Sequence, residues 1–476
     1  MNKILILTAV TATTIGLNSC NLIEPNEVEN PNITEETFLR GSNSMDTWVN
    51  GAEKTFALTV GTFCLHTEII SDNYYNNYTR ESKVFDKPEI NNNDQDAASM
   101  ERGISKMCEA ANFGLNKVQK YDKQTMEEHL SKLYLIKSYA FLLAGENFMA
   151  LPVEQGGKVK TWKEQLNLAL NTLDECSKYA KTDSAQALVH TLKARAYYRL
   201  GNADKAITES EAALSLSSKL LSTVKFDAAN GVTNSIQDDI WKTMYQPLPR
   251  LDFLDPKYYQ LTSMDECPIS IAKAEENHLI IAEALLSKNN VSGCKTQLHK
   301  LLQLVKQRPV MKGLRDWNDN RFNGGFVHYP DSNGYTVAAS PGEEYRSGLV
   351  LSRKKPNLIN VPKVSGTSVT AEMIDKCSDN DALLELIYLM RQEIFIAEGR
   401  RMSDLGIRLP INEVEANNTD SAKPYTKALI PSFIPLEQGM DKFDIDKINH
   451  KVTIHYNMNK IIVKNKKSEY VVPFWK

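Results

Sequence analysis

The sequence lacks the short motifs that mark the active sites of common enzyme classes. It contains no His-Glu-x-x-His, no Gly-x-Ser-x-Gly, no phosphate-binding loop and no dinucleotide-binding fingerprint. Its eight histidines are scattered. His190 and His278 fall within helical patterns, where a core or surface histidine is favoured over a metal ligand. Asp94-Gln95-Asp96 and Asp441 to Asp446 could supply oxygen ligands to calcium, but solvated turns are favoured because neither has the complete spacing of a calcium loop. We therefore expect no catalytic residues, cofactor or metal centre.

The chain also lacks an excess of positive charge and, beyond its N-terminus, long apolar runs. The formal net charge at pH 7 is −3, whereas a nucleic-acid-binding protein needs a basic face to neutralise phosphates. Beyond Cys20, no segment has the roughly 20 apolar residues of a membrane-spanning helix. These absences predict no nucleic-acid partner and no transmembrane helix in the mature chain.

Cysteine is sparse and irregularly spaced, without any Cys-x-x-Cys pair. An exported protein could oxidise its thiols, but this spacing in a long chain favours buried free thiols, and no pairing can be deduced. Besides Cys20, the cysteines are Cys64, Cys108, Cys176, Cys267, Cys294 and Cys377.

The N-terminus is similar to that of a bacterial lipoprotein. Lys3 precedes a short apolar core, and the segment ends in Leu17-Asn18-Ser19-Cys20, which together describe a secretory signal and a lipobox. We predict a signal peptide at residues 1–19, acylation of Cys20 (palmitate among the chains) and an extended leader at residues 20–36. The less favoured alternative is an ordinary cleaved signal with an incidental cysteine.

Helical periodicity dominates the first half of the mature chain. An apolar face from Leu130 to Leu143 is expected to end near Gly145. Small residues from Ala187 to Leu216 fall on the positions of a tetratricopeptide-like helix pair, with Gly201-Asn202 at the turn. Helical periodicity also covers residues 162–179, and residues 275–290 followed by 294–307 are predicted to form a further helix pair.

The second half of the chain has a different character. Residues 313–366 are rich in Gly, Asn, Ser, Pro and aromatics and show little periodicity. Helical pattern returns from Asp381 to Leu405, and alternation from Val452 to Val463 predicts a small hairpin around Asn457-Met458-Asn459. The predicted fold is mostly α, a tetratricopeptide-like helix-pair scaffold with an irregular, loop-rich second half and minor β hairpins.

Several stretches, taken in order, resemble the SusD/RagB lipoproteins. The most specific runs from Arg391 to Leu405 and is similar to the signature Arg-x-Glu … Glu-Gly-x-Arg-x-x-Asp-Leu. The resemblance assigns residues 37–270 to the helical N-terminal region of that family and residues 271–476 to its C-terminal region, in one compact unit. The supporting stretches are Ile136–Leu143, Leu151-Pro152-Val153, Asn277–Ala284 and Val472-Pro473-Phe474. The signature residues are Arg391, Glu393, Glu398, Arg400 and Asp404.

The signature also has a physical interpretation of its own. Gly399 would let another backbone approach closely, and arginines beside carboxylates in a half-buried helix most often form a structural ion-pair network. A carboxylate pair can act in a glycosidase. Glu393 and Glu398, however, are helix neighbours flanked by arginines, and this position does not favour a raised pKa for either carboxyl group. We therefore favour a structural role for both.

The resemblance implies a function. Such a protein is a lipid-anchored lipoprotein on the outer face of a Gram-negative outer membrane, where it lies as a lid on a SusC-like TonB-dependent transporter. It captures oligosaccharides, or in some members peptides, and hands them to the barrel. We prefer an oligosaccharide ligand; the alternatives are a peptide ligand, a surface glycosidase with an unrecognised carboxylate pair, and a purely structural lid.

Two aromatic groups outside the regular helices are candidate ligand-binding residues, because sugar rings stack on aromatic faces while polar neighbours bond to hydroxyls. Each of these residues could equally plug a loop onto the core. The first group lies in residues 71–80 and contains Asn73, Tyr74, Tyr75 and Tyr78; the second lies in residues 315–329 and contains Trp317, Asn318, Arg321 and Tyr329.

Overall fold

Helices make up most of the regular structure of the protein. The computed structural model describes residues 34–76, 85, 87–154, 156–241, 245–259, 262, 265–315, 329–353, 355–436 and 439–475. None of the helices in these ranges is long and apolar enough to cross a membrane. The helices are α1 (Glu35–Leu39), α2 (Ser44–Ile70), α3 (Gln95–Phe113), α4 (Gln119–Tyr121), α5 (Glu127–Asn147), α6 (Trp162–Tyr179), α7 (Asp183–Arg199), α8 (Ala203–Leu216), α9 (Ser235–Trp241), α10 (Ala274–Ser287), α11 (Val291–Gln307), α12 (Ala371–Lys376), α13 (Asn380–Ile394), α14 (Arg401–Asp404), α15 (Glu413–Asn418) and α16 (Met458–Lys464).

The strands are short and form only small sheets. They are β1 (Tyr74–Asn76), β2 (Ala150–Pro152), β3 (Val159–Thr161), β4 (Leu221–Val224), β5 (Tyr245–Pro247), β6 (Ile269–Lys273), β7 (Val310–Leu314), β8 (Thr336–Ala338), β9 (Ile359–Pro362), β10 (Phe443–Asp446) and β11 (Lys451–Ile454). Antiparallel pairs join β1 to β5, β2 to β3, β4 to β6 and β7 to β9; β11 lies between antiparallel β10 and parallel β8. The predicted mostly α fold with minor sheets is confirmed.

Consecutive helices pack side by side as α5 with α6, α7 with α8, and α10 with α11. Gly201 adopts a φ of +76° at the predicted turn between α7 and α8, and the side chain of Asn202 caps α8 by accepting a hydrogen bond from the backbone N–H of Lys205. Helix α5 ends at Asn147, near Gly145 as predicted, but it continues two residues past the glycine, which therefore does not terminate it. Gly145 instead allows close packing, since a Cβ there would lie 2.7 Å from Cγ of Leu166 in α6.

The predicted hairpin centred on Asn457 is wrong. Asn457 caps α16, where its side chain accepts a hydrogen bond from the backbone N–H of Lys460. The alternation that suggested a hairpin belongs to β11, which pairs with β10 before it and β8 far back in the sequence. A side-chain cap at Asn457 ends the extended segment and starts a helix.

One large hydrophobic cluster, which includes Leu39 near the start and Val472 near the end of the described chain, contains buried side chains from both halves. All six cysteines beyond Cys20 are free thiols, and all but the half-buried Cys377 are buried. The prediction of buried free thiols is therefore confirmed for five of them.

Candidate functional site

One described tyrosine from each predicted aromatic group lies at the same place, which we call the aromatic junction and define by Tyr75, Tyr329 and Phe443. The ring of Phe443 lies 5.7 Å from that of Tyr75 and 6.1 Å from that of Tyr329 between centroids, edge-on to both. Strand β5 holds the two tyrosines, because the Tyr75 hydroxyl donates to Oε1 of Gln246 at 2.7 Å and the Tyr329 hydroxyl donates to the carbonyl of Pro247 at 3.0 Å. Residues separated by about 250 positions in sequence thus share one anchoring strand.

The described candidates are packed into the protein. Asn73 and Tyr74 are almost fully buried, and Tyr75 and Tyr329 are 8% and 9% exposed. Within the segment expected as a loop, Tyr74–Asn76 form a strand, and the Asn73 amide donates to Oε2 of Glu68 at 2.7 Å. Contact of these four residues with a ligand stays a prediction. Tyr78, Trp317, Asn318 and Arg321, like Cys20 and the signal at residues 1–19, lie outside the described residues.

Asp72 connects the start of β1 to the signature segment. Its carboxylate accepts from Arg401 at 2.5 and 3.0 Å and from the Gln392 amide at 2.8 Å. Gln392 in turn accepts from the Asn459 amide at 2.9 Å. All four side chains are buried, so this chain of bonds fixes β1, and with it the aromatic junction, to α13, α14 and α16.

Arg391 and Asp404 of the signature form a two-point ion pair with N–O distances of 2.9 and 3.1 Å. Asp404 also forms an ion pair with Arg199 of α7, with an N–O distance of 3.0 Å. Burial alone would raise the pKa of Asp404, but Arg391 and Arg199 outweigh it and hold that pKa below its ordinary value. The pair therefore joins α13 and α14 to the helix-pair scaffold.

A second group of ion pairs surrounds Glu146 of α5. Arg195 and Arg199, one helical turn apart on α7, both pair with this carboxylate. Burial raises the pKa of Glu276 to about 7 against the opposing charge of Arg195, and Arg400 of the signature donates to Glu276 at 2.8 Å. The signature is thus bonded to α5, α7 and α10 through buried charges.

The two signature glutamates have separate partners. Glu398 pairs with Lys257 and with Lys273, the latter at 2.7 Å, and burial lowers the pKa of Lys273 to about 8 although Glu398 opposes the shift. Glu393 accepts from the Thr367 hydroxyl at 2.6 Å and the Ser368 backbone N–H at 2.8 Å. Because their oxygens already bond to separate structural partners, the geometry does not favour a cooperating acid–base pair.

Gly399 has the close approach that the sequence predicted. Its φ is +69°, and a Cβ there would lie 3.2 Å from Oγ1 of Thr67 and 3.4 Å from Cα of Cys64. Its backbone N–H donates to Oε1 of Glu68 at 2.9 Å. The segment between α13 and α14 therefore lies directly against α2, a position that leaves no room for a side chain.

Sequence reasoning missed most partners of the signature, namely Asp72, Glu146, Arg195, Arg199 and Glu276. One local signal was available for α7, where Arg195 and Arg199 occur four residues apart among Ala and Tyr in a helix that must be buried. Charged residues in such surroundings need counter-charges. Nothing local to them names Glu146 or Asp404 as that partner.

The expectation that the two acidic segments are solvated turns and not calcium sites stays a prediction. Within the described ranges, no group of three or more His, Cys, Asp or Glu side chains is arranged to hold a metal ion. Asp94 accepts from the backbone N–H groups of Asp96 and Ala97 as the N-cap of α3, and Asp446 accepts from those of Ile448 and Asn449. These carboxylates already have backbone donors, which is typical of capping and turns.

The described structure is a tetratricopeptide-like helix-pair scaffold with an irregular second half. No model of a known protein family matches the sequence, and no curated protein matches it. Solved structures do match. A SusD-like protein from Bacteroides fragilis NCTC 9343 superposes with a TM-score of 0.51 at 10% identity, over 78% of this chain and 87% of that one. A SusD superfamily protein from Bacteroides fragilis gives 0.51 at 14%, over 79% and 97%.

A third match is a SusD-like carbohydrate binding protein from Bacteroides vulgatus, with a TM-score of 0.50 at 11% identity, over 75% of this chain and 81% of that one. At these identities the likeness shows the fold. The chain therefore has the SusD-like fold, in agreement with the family resemblance of its motifs.

Proposed function

We propose that the protein is a lipoprotein of the outer membrane, anchored through Cys20 and exposed at the cell surface, that captures oligosaccharides and delivers them to a SusC-like TonB-dependent transporter. It binds its ligand without chemical turnover. The SusD-like fold and the lipobox support this proposal, and one structural neighbour is itself described as a carbohydrate binding protein.

The proposal depends mainly on the aromatic junction, where Tyr75 of one aromatic group and Tyr329 of the other both lie against Phe443. Tyr78 follows Tyr75 by three residues, and Trp317, Asn318 and Arg321 precede Tyr329. Because β5 holds Tyr75 and Tyr329 together, each candidate segment contributes one described residue to the same place. Aromatic rings beside amides and a guanidinium would supply stacking faces and hydrogen-bond donors for a sugar.

The ligand-binding step can be tested with Trp317→Ala in titrations against a panel of neutral and acidic oligosaccharides. Loss of a central aromatic contact typically costs more than about 1 kcal/mol, so we expect affinity to fall at least about fivefold. Tyr121→Ala is a matched control, because Tyr121 is 60% exposed and lies at α4, away from the candidate segments in sequence. Equal affinity of Trp317→Ala and wild type would contradict the assignment of this residue.

The transport role can be tested by purifying the native membrane complex through a tag at Lys476 under mild detergent. We expect a large TonB-dependent barrel to copurify, together with a bound saccharide. Peptides bound in place of saccharides would favour the peptide alternative, and absence of any barrel would remove the main support for delivery. Product release from a polysaccharide, abolished by one Asp or Glu substitution, would instead establish a glycosidase.

A further inference from the structure

A cavity of about 360 Å³ lies between the first part of α13, β8 and the start of α16. We call it the Arg250 cavity. Its volume lies at the small end of the range for small-molecule sites, roughly 300–1,000 Å³, and suits a small ligand such as one sugar residue. The polar side chains that line it and carry the argument are Arg250, Glu343, Glu385, Asn457, Asn459 and Lys460.

Arg250 is 7% exposed and, among the residues that the structure describes, forms no hydrogen bond or ion pair of its own. Every other buried arginine of the described chain has a carboxylate partner: Arg195, Arg199, Arg353, Arg391, Arg400 and Arg401. A guanidinium has five N–H donors and stays charged in proteins. A buried one without a partner is a costly arrangement unless a ligand completes it.

The nearby carboxylates of the described chain form no ion pair with Arg250. Glu385, which lines the same cavity, is within range of the charge of Arg250, but its amide partner is Asn457. Glu393 and Asp72 oppose the effect of burial, yet burial still lowers the pKa of Arg250. Both are already occupied, Asp72 by Arg401 and Gln392, and Glu393 by Thr367 and Ser368. The guanidinium that lines the cavity is therefore available to an anion from outside.

Hydrogen-bond acceptors face the same space. The Asn457 amide bridges Glu343 and Glu385 at 3.0 and 2.8 Å, while Lys460 bonds to Glu343 at 3.0 Å. Asn459 is almost fully buried, and its Oδ1 has no hydrogen-bond partner. These oxygens can accept from the hydroxyl groups of a ligand whose anionic end meets Arg250.

We propose that the Arg250 cavity binds one acidic sugar residue, with the sugar carboxylate on the Arg250 guanidinium and its hydroxyls donating to Glu385 and Asn459. A planar carboxylate matches the two-point geometry of a guanidinium, and a lone inorganic anion would leave the facing acceptors unused. This inference rests on the proposed function only in that the ligand is a saccharide.

The test compares, by titration calorimetry on the wild-type protein, glucuronate and galacturonate with their methyl esters and with glucose and galactose. We expect both neutral sets to bind about 10- to 100-fold more weakly, since hydrogen bonds to charged groups are strong. Acetate and diglycine distinguish a general carboxylate or a peptide terminus from a sugar acid. Equal binding of uronates and methyl esters, or tighter binding of diglycine, would overturn the proposal without any substitution.

Variants then locate the site. Arg250→Gln should remove the preference for uronates and melt at or above the wild-type temperature, because an unpaired buried charge is lost; Arg250→Lys should keep the charge and part of the preference. Arg102→Gln, at an exposed arginine of α3, is the matched control and should bind like wild type. Unchanged uronate binding by Arg250→Gln would refute the site. Loss of oligosaccharide binding by Trp317→Ala, with uronate binding intact, would separate this cavity from the candidate ligand-binding residue Trp317.

Discussion

The substitution Asp404→Asn probes the ion pairs that join the signature to the helix-pair scaffold. Asp404 is buried and forms ion pairs with both Arg391 and Arg199. Asparagine keeps the size and one oxygen acceptor but removes the charge, which leaves two buried guanidinium groups without their shared counter-charge. Breaking a buried pair in this way costs about 3–5 kcal/mol.

The expected change in melting temperature follows from the length of the chain. An unfolding entropy of about 2.1 cal/mol/K per residue amounts to about 1 kcal/mol/K for 476 residues. The loss of about 3–5 kcal/mol should therefore lower the melting temperature by about 3–5 °C in scanning calorimetry at pH 7. Asp420→Asn is the control, since Asp420 and its partner Lys423 are exposed and such pairs contribute about 0–1 kcal/mol.

The pH dependence gives a second readout of the same pair. Because the pKa of Asp404 is held below its ordinary value, its stabilisation is present above that ordinary value and is lost as the pH falls through the lower, folded-state pKa. The difference between wild type and Asp404→Asn should therefore persist from pH 5 to pH 8 and close only in strong acid. If Asp404→Asn melted within about 1 °C of Asp420→Asn at pH 7, the energetic role assigned to this pair would be refuted.

Two further predictions concern backbone packing and a buried carboxyl group. Gly399→Ala should lower the free energy of unfolding in urea by about 1–3 kcal/mol, and by more than the control Gly342→Ala. Both glycines have positive φ, but of the two only Gly399 has neighbours within 4 Å of the new methyl group, at Thr67 and Cys64. Equal losses in the two variants would contradict the close approach. Burial raises the pKa of Glu101 to about 7, so its contribution to stability is full below the ordinary value and is lost as the pH rises through about 7. Glu101→Gln should therefore lose less stability than wild type between pH 5 and pH 8 in urea titrations, and parallel profiles would contradict the raised pKa.

The sequence predicted the elements whose signals are local. Helical periodicity identified α6 from Trp162 to Tyr179 at its observed bounds, and Gly201 marked the turn between α7 and α8. Local signals failed where one residue type serves two purposes. Gly145 suggested a helix end but provides close packing with Leu166, and Asn457 suggested a turn but caps α16.

For the candidate site, the sequence predicts that a buried charge needs a partner but not which residue that partner is. The signature Arg391-x-Glu393 and the buried Arg195 and Arg199 each imply counter-charges, because isolated buried ions are costly. Arg401 finds its carboxylate 329 positions away at Asp72, and no periodicity of either segment encodes that distance. The same reasoning applies to Arg250. The other buried arginines of the described chain pair with carboxylates of the protein, whereas Arg250 lines a cavity, so we expect its counter-charge to come from a ligand.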